Sequence, residues 1–205
     1  MPTRRRPRAL PQDPRQRLIA AALVLAAEKG WRQIAMADIA TAAGLSLADA
    51  YPLFRSKFAL LAGFRRDIDA ASLAGAAPSA NDSVRDRLFE VLMRRFEALK
   101  PHRAALRAIL RDSLGTPAPL KALPGFLRSM SWMLAAAGVP TGGYRGRIAT
   151  RLAAALYLSV FPAFLRDESS DLGTTMAVLD RRLRQVESLL GTFQPIVTRG
   201  RKSRA

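Results

Sequence analysis

Residues 37–54 read Ala-Asp-Ile-Ala-Thr-Ala-Ala-Gly-Leu-Ser-Leu-Ala-Asp-Ala-Tyr-Pro-Leu-Phe. Ile39 and Ala43 would share one face of a short helix, because residues four apart are neighbours on a helix surface. Gly44 permits a sharp turn, and Ser46 is a good N-cap for a second short helix. The stretch therefore predicts two short helices joined by a tight turn, which is the geometry of a helix-turn-helix unit.

Longer helices are predicted on both sides of this unit. Asp13 and Pro14 form a helix start, with a capping side chain followed by a proline in the first turn. Gly30 ends that helix. The two short helices cover about 37–43 and 46–52, where Pro52 should stop the second one. The next helix runs from about Ser56 to Leu73.

The rest of the chain also has a helical pattern. Ala, Leu and Arg, all strong helix formers, dominate it, and strand patterns are nearly absent. A small, polar, turn-rich stretch at 75–83 is the best boundary. The expected fold is all-α, with helices over about 82–99, 102–114, 120–137, 144–165 and 170–190. The predicted domains are a basic arm (1–12), a three-helix head (13–74), a helical body (82–191) and a basic tail (192–205).

From Arg17 to Leu61 the sequence resembles the TetR family of regulators. The resemblance rests on Gly30, on Asp38-Ile-Ala, on Ala43-Gly-Leu-Ser and on Tyr51-x-x-Phe-x-x-Lys57. It implies a DNA-reading head and a divergent C-terminal body that forms a homodimer and encloses a small ligand. We therefore expect a cytoplasmic transcriptional regulator that binds double-stranded DNA and is released from its operator by a small apolar ligand.

The resemblance also predicts which residues contact DNA. Four are arginines before the helix-turn-helix unit: Arg4, Arg5, Arg6 and Arg32. Four lie at the start of its second helix: Ser46, Leu47, Ala48 and Asp49. The last two, Tyr51 and Lys57, follow them. The sequence departs from the family here, because Ala35 and Met36 stand where the family often has threonines. A head kept only as a structural module is the alternative.

The charge distribution indicates an anionic partner. The formal net charge is +17, with four basic residues in 1–10 and four in 194–205. Basic arms of this kind bind nucleic-acid phosphates or an anionic membrane surface. Between residues 33 and 56, however, the charged side chains are Asp38, Asp49 and Arg55. Attraction to phosphate would therefore come mainly from arginines outside the second short helix.

A second, looser resemblance concerns the C-terminal half. Residues 132–138, 145–157, 167–171 and 174–183 look like the lipid-binding accessory protein of coenzyme Q biosynthesis. That family has a TetR-like fold, no longer reads DNA and binds an isoprenoid lipid, so lipid binding is the alternative function. Its membrane-binding amphipathic helix has no counterpart after Gly191, which favours the regulator.

Apolar residues of the body are candidates for the walls of a ligand pocket, although ordinary core packing explains each of them equally simply. Most lie in the helices predicted around 126–133 and 156–164. The candidates are Phe96, Leu110, Phe126, Met130, Met133, Leu156, Phe161 and Phe164.

The last two predicted helices carry a long apolar face, for example Leu179, Leu183, Val186, Leu189 and Leu190. A peripheral helix does not need a face of that extent. We therefore expect these helices to form the dimer contact.

Other classes of function are disfavoured. The chain has no cysteine and a single histidine, His102, so neither a thiolate nor a histidine pair is available for a metal site. No nucleophile elbow or phosphate-binding glycine loop is present. We expect no enzyme activity, no cofactor and no bound metal. No run of 18 apolar residues occurs, so we expect no membrane span.

Overall fold

The computed structural model describes residues 13–75 and 81–192, with side chains described as far as residue 188. This part of the chain is helical and contains no strand, which confirms the predicted all-α fold. A short 3-10 turn at Lys100–His102 lies between the fifth and sixth helices. In chain order the helices are α1 (Pro14–Lys29), α2 (Met36–Ala42), α3 (Leu47–Leu53), α4 (Lys57–Leu73), α5 (Val84–Leu99), α6 (Arg103–Ser113), α7 (Ala118–Ala136), α8 (Gly143–Arg166) and α9 (Gly173–Thr192).

The helix ends follow local signals in the sequence. The side chain of Asp13 accepts a hydrogen bond of 3.0 Å from the backbone N–H of Arg15 at the start of α1. Gly30 ends the helix with a φ of +87°, a conformation that favours glycine. Pro52 does not stop α3, which continues to Leu53. A proline near the C-terminal end of so short a helix removes few hydrogen bonds.

The chain forms two compact units. The first contains the described residues up to Asp67 together with Pro101–Leu123, and the second contains Ile68–Lys100 together with the described residues from Pro124 onwards. The predicted domain boundaries placed α6 with the body. The grouping of contacts instead places this helix with the helix-turn-helix region.

In the first unit, α6 packs against α1. Leu18, Ala22 and Ala26 of α1 are fully buried, and Ala105 and Ala108 of α6 are nearly so. Small side chains on both helices allow their backbones to approach closely. This packing adds α6 to the core of the helix-turn-helix region.

In the second unit, α9 packs against both α5 and α8. Leu92 and Phe96 of α5, Val160 and Phe164 of α8, and Leu179 of α9 are all fully buried. Burying a side chain of this size contributes roughly 1.5–3 kcal/mol. The unit is therefore held mainly by apolar packing.

This packing uses part of the apolar face on which the dimer prediction rests. Leu179 and Leu183 of α9 are 0% and 4% exposed, so they pack inside the protomer. The side chains of Leu189 and Leu190 lie outside the described residues. On α8, the other helix of the predicted contact, Tyr144, Ile148 and Leu152 are exposed and follow one another at four-residue spacing.

Among the described residues, α8 is also the helix that is long and apolar enough to cross a membrane. Its side chains Tyr157, Val160 and Phe164 are buried in the second unit. We therefore interpret α8 as a core helix with one apolar face left exposed.

The loop before α9 is organised by Asp167. Its carboxylate accepts hydrogen bonds from the backbone N–H and the hydroxyl of Thr175, each 2.7 Å long, and from Ser169. Burial alone would raise the pKa of Asp167, but these hydrogen bonds lower it from 3.8 to about 2. Asp171 accepts from the N–H of Gly173. Asp167 was missed as a cap because it lies eight residues before the group that it binds.

Candidate functional site

The helix-turn-helix unit has the predicted geometry. Gly44 adopts a φ of +67°, and the N–H of Leu45 donates a 2.9 Å hydrogen bond to the carbonyl of Ala40. Ile39 and Ala43 are fully buried, and Ala50 of α3 is 1% exposed. These three side chains attach α2 and α3 to α1, so the opposite side of α3 is exposed.

Ser46 and Asp49 form a reciprocal cap at the start of α3. The hydroxyl of Ser46 accepts from the N–H of Asp49 at 3.1 Å and donates to the Asp49 carboxylate at 2.6 Å. The backbone N–H of Ser46 donates to the same carboxylate oxygen at 3.4 Å. The two best hydrogen-bonding side chains of the predicted DNA surface are therefore bound to each other.

The exposed surface of α3 is mostly apolar. Leu47 is 54% exposed and Tyr51 is 63% exposed, and Ala48 lies between them on the same side of the helix. We call these three side chains the recognition face. The guanidinium carbon of Arg55 lies 5.8 Å from the centroid of the Tyr51 ring, which places a positive charge beside this face.

Lys57 has a different environment from the one that the family resemblance implies. Its ammonium nitrogen donates to the carbonyls of Trp31 and Ile34, both at 2.7 Å, and lies 4.9 Å from the centre of the Trp31 ring. Burial lowers the pKa of Lys57, while the nearby charge of Asp112 acts in the opposite direction. Two of the three donors of Lys57 therefore hold the segment between α1 and α2.

The same segment is held by α6. The carboxylate of Asp112 accepts a 3.1 Å hydrogen bond from the backbone N–H of Arg32. That bond, together with one from Arg111, lowers the pKa of Asp112. The side chain of Arg32 is exposed. Sequence reasoning missed Asp112 because this pairing spans 80 residues and leaves no local pattern.

The predicted DNA residues that the structure describes lie around α2 and α3. Arg32, Ser46, Leu47, Ala48, Asp49 and Tyr51 are exposed, and Lys57 is half-buried. Arg4, Arg5 and Arg6 lie outside the described residues, as do most of the predicted basic arm and tail. The structure thus places six of the predicted residues at an exposed surface.

The second unit contains an aromatic cluster made of Phe96, Phe126, Tyr157, Phe161 and Phe164. The rings of Phe96 and Tyr157 are stacked with centroids 4.8 Å apart, and the other neighbouring pairs are 5.0–5.8 Å apart. Four of these residues were predicted as pocket walls, and Tyr157 was missed. Burying these rings at such separations stabilises the unit.

The other predicted pocket residues divide between the two units. Met130, Met133 and Leu156 are buried in the second unit. Leu110 lies on α6 in the first unit and is 42% exposed, so it does not belong with the others. Its helical spacing suggested a core position, but Ala105 and Ala108 supply the buried side of α6 instead.

A buried polar network adjoins the aromatic cluster. The Arg95 guanidinium forms an ion pair with Asp69, and the hydroxyl of Ser129 donates to the same carboxylate at 2.6 Å. Arg95 lies over the Tyr157 ring, 5.6 Å from its centroid, and its Nε is buried without a hydrogen-bond partner. Burial raises the pKa of Tyr157, and the charge of Arg95 opposes that rise.

Within the described residues we find no group of three or more side chains that could hold a metal ion. One open concavity lies along α9 and is lined by Arg181, Arg184, Gln185 and Ser188. It contains none of the predicted pocket residues. In the aromatic cluster, Phe96, Tyr157 and Phe164 are buried, and Phe126 and Phe161 are half-buried.

Comparison with known proteins identifies the first unit. Residues 18–63, which include most of α1 and all of α2 and α3, match the family model for bacterial regulatory proteins of the tetR family. These residues are a TetR-family helix-turn-helix domain. The family is one of transcriptional regulators. No curated protein sequence is significantly similar to the chain.

Solved structures extend the TetR likeness to most of the chain. A TetR transcriptional regulator from Nitrosomonas europaea ATCC 19718 is 23% identical, with a TM-score of 0.71 over 86% of this chain and 99% of that one. A TetR transcriptional regulator from Rhodococcus sp. RHA1 is 24% identical, with a TM-score of 0.61 over 84% of this chain and 95% of that one. These likenesses show that the chain has the TetR fold.

Proposed function

We propose that this protein is a homodimeric, cytoplasmic transcriptional regulator that binds double-stranded DNA through α3. The observation that carries the proposal is the outward-facing α3 of a TetR-family helix-turn-helix domain, held on α1 by buried small and aliphatic side chains. A helix of this kind presents its N-terminal residues to base edges in the major groove. The arginines at 4, 5, 6 and 32 supply phosphate attraction that α3 lacks.

A test of this proposal starts without knowledge of the operator. The purified full chain is used to select duplexes from a randomised library, and the selected sequence is then compared with a scrambled duplex by fluorescence anisotropy. We expect a palindromic consensus and a preference for it over scrambled DNA. Equal binding to both at every salt concentration would contradict the proposal.

We propose that the dimer contact lies on α8. Tyr144, Ile148 and Leu152 are 70%, 38% and 47% exposed and share one face of the helix. An exposed apolar stripe of this length is typical of a subunit contact. A two-fold dimer would place its two α3 helices about one DNA turn apart, roughly 34 Å.

Light scattering tests the dimer. The wild-type chain should have the mass of a dimer at micromolar concentration, and Leu152→Glu should shift it to a monomer that keeps its helical circular dichroism. Leu120→Glu is the matched control, because Leu120 on α7 is also exposed, at 73%. A wild-type monomer would contradict the proposal, and a variant that stays dimeric would place the contact elsewhere.

We also propose that a small apolar ligand enters the second unit beside the aromatic cluster and releases the protein from DNA. The supporting observation is the buried Arg95–Asp69 pair among aromatic rings, since a charge pair in an apolar core costs desolvation energy that apolar residues would avoid. Organic extraction of the purified protein followed by mass spectrometry tests for a bound ligand. The extracted compound should weaken operator binding when it is added back.

If this protein is instead a lipid-binding accessory protein, the same experiments should give a different result. It should carry an isoprenoid lipid and show no preference for any duplex sequence. An operator preference therefore supports the regulator, and a bound lipid without such a preference supports the accessory protein.

A further inference from the structure

The recognition face of α3 is apolar where a DNA-reading helix usually presents hydrogen-bonding groups. Leu47 and Ala48 occupy the first two positions of the helix, and Tyr51 lies one turn later. All three are exposed. Because the N-terminal residues of a recognition helix contact base edges, Leu47 and Ala48 hold the positions that determine sequence specificity.

Three polar side chains next to this face already form hydrogen bonds within the chain. The hydroxyl proton of Ser46 is donated to Asp49, and Asp49 also accepts from the backbone N–H of Ser46. The ammonium of Lys57 donates to two carbonyls of its own chain. To donate to a base, Ser46 or Lys57 would have to give up these bonds.

The major groove contains one apolar group that such a face can recognise. Thymine carries a C5-methyl group there, and alanine and other apolar side chains contact it, whereas cytosine presents an amino donor and no methyl group. A leucine and an alanine on adjacent positions exclude water from a methyl group and offer nothing to a polar base edge.

We propose that α3 reads its operator chiefly through the C5-methyl groups of thymine, with Leu47 and Ala48 as the specificity-determining side chains. This inference rests on the proposed function, because it requires the first unit to bind duplex DNA. The occupant of the recognition face is the major groove, since Arg55 beside it provides the positive charge that a phosphate backbone attracts.

The test removes single methyl groups from the DNA. Each thymine of the selected half-site is replaced in turn by deoxyuridine, which keeps every hydrogen bond of the base pair and lacks only the C5-methyl. At one or two positions the affinity of the full chain should fall about fourfold, the factor expected for one buried methyl group. Replacing the same thymine–adenine pair with 5-methylcytosine–guanine should cost less than replacing it with cytosine–guanine.

A variant of the protein identifies the contacting side chain. Leu47→Ala should weaken operator binding and abolish the sensitivity to deoxyuridine at one position while leaving the other position sensitive. Leu47 is 54% exposed, so the variant should fold. Leu120→Ala is the matched control and should keep the full sensitivity at both positions.

Two results would overturn the inference, and they differ. A defined operator whose thymines all tolerate deoxyuridine would mean that bases are read by polar groups, with Asp49 accepting from a cytosine amino group as the first candidate. Selection that yields no consensus at all would overturn the proposed function as well, and would leave the recognition face to a protein partner.

Discussion

The ammonium group of Lys57 has two possible roles that predict different measurements. The family resemblance places it against DNA phosphate, whereas the structure places it against the carbonyls of Trp31 and Ile34. Lys57→Met removes the charge and keeps a side chain of similar length. The replacement therefore separates a role in folding from a role in binding.

The size of the effect follows from the contacts. Each hydrogen bond to a charged group contributes roughly 1.5–3 kcal/mol, and water can partly replace a donor at this half-buried position, so the lower end of that range applies. Stacking of the ammonium on Trp31 adds about 0.5–1 kcal/mol. We expect Lys57→Met to lower the free energy of unfolding by about 3.5–4 kcal/mol. For a chain of this size that corresponds to a fall in Tm of roughly 7–16 °C.

The assay combines thermal unfolding with a salt titration of operator binding. Lys57→Met should unfold at a lower temperature, while the slope of log affinity against log salt measured below that temperature should stay unchanged. Lys121→Met, at an exposed lysine of α7, should leave the unfolding temperature unchanged. If the Lys57 variant is as stable as the wild type and its salt slope falls by about 0.9, the lysine contacts phosphate and our reasoning is wrong.

Three further results are expected. Arg95→Met should destabilise the second unit by about 3–5 kcal/mol in urea unfolding, because the carboxylate of Asp69 stays buried without its partner, and adding Asp69→Leu should restore most of that loss. For Asp167 the pKa of about 2 lies below the ordinary value of 3.8, so its charge stabilises the fold above that value and the stabilisation is lost as the pH falls towards 2. The free energies of unfolding of wild type and Asp167→Asn should therefore differ by about 2 kcal/mol near neutral pH and converge in acid, and a constant gap would contradict this reasoning. Deleting residues 1–10 should reduce the salt slope of DNA binding by up to about four units, and an unchanged slope would place the basic arm away from DNA.

Local features of the fold could be predicted from the sequence. Asp13 and Pro14 start α1, and Ser46 caps α3 through groups three residues away. Gly44 adopts the left-handed conformation that its position required. Each of these signals acts within a few residues of chain, so the sequence contains both partners side by side.

Pairings between distant residues could not be predicted. Asp112 binds the backbone 80 residues earlier, and Arg95 meets Asp69 across 26 residues. Arginine and aspartate are usually surface residues, so their presence in an amphipathic helix gives no sign of burial. The burial of Leu179 and Leu183 inside the protomer was not predictable either, because an apolar face looks alike whether it packs inside the protomer or against another copy.

The assignment of α6 to the first unit affects which truncated fragments and which chimeras of this protein can fold. The compact unit that contains the helix-turn-helix is not one continuous piece of chain, since Pro101–Leu123 belongs to it as well. A fragment that ends at residue 74 would expose the side of α1 that Ala105 and Ala108 cover, together with a turn that Asp112 no longer holds. Chimeras that transplant only the N-terminal residues onto another regulator would therefore inherit an incomplete folding unit. During synthesis, the ribosome must release α6 before the helix-turn-helix region can reach its final stability.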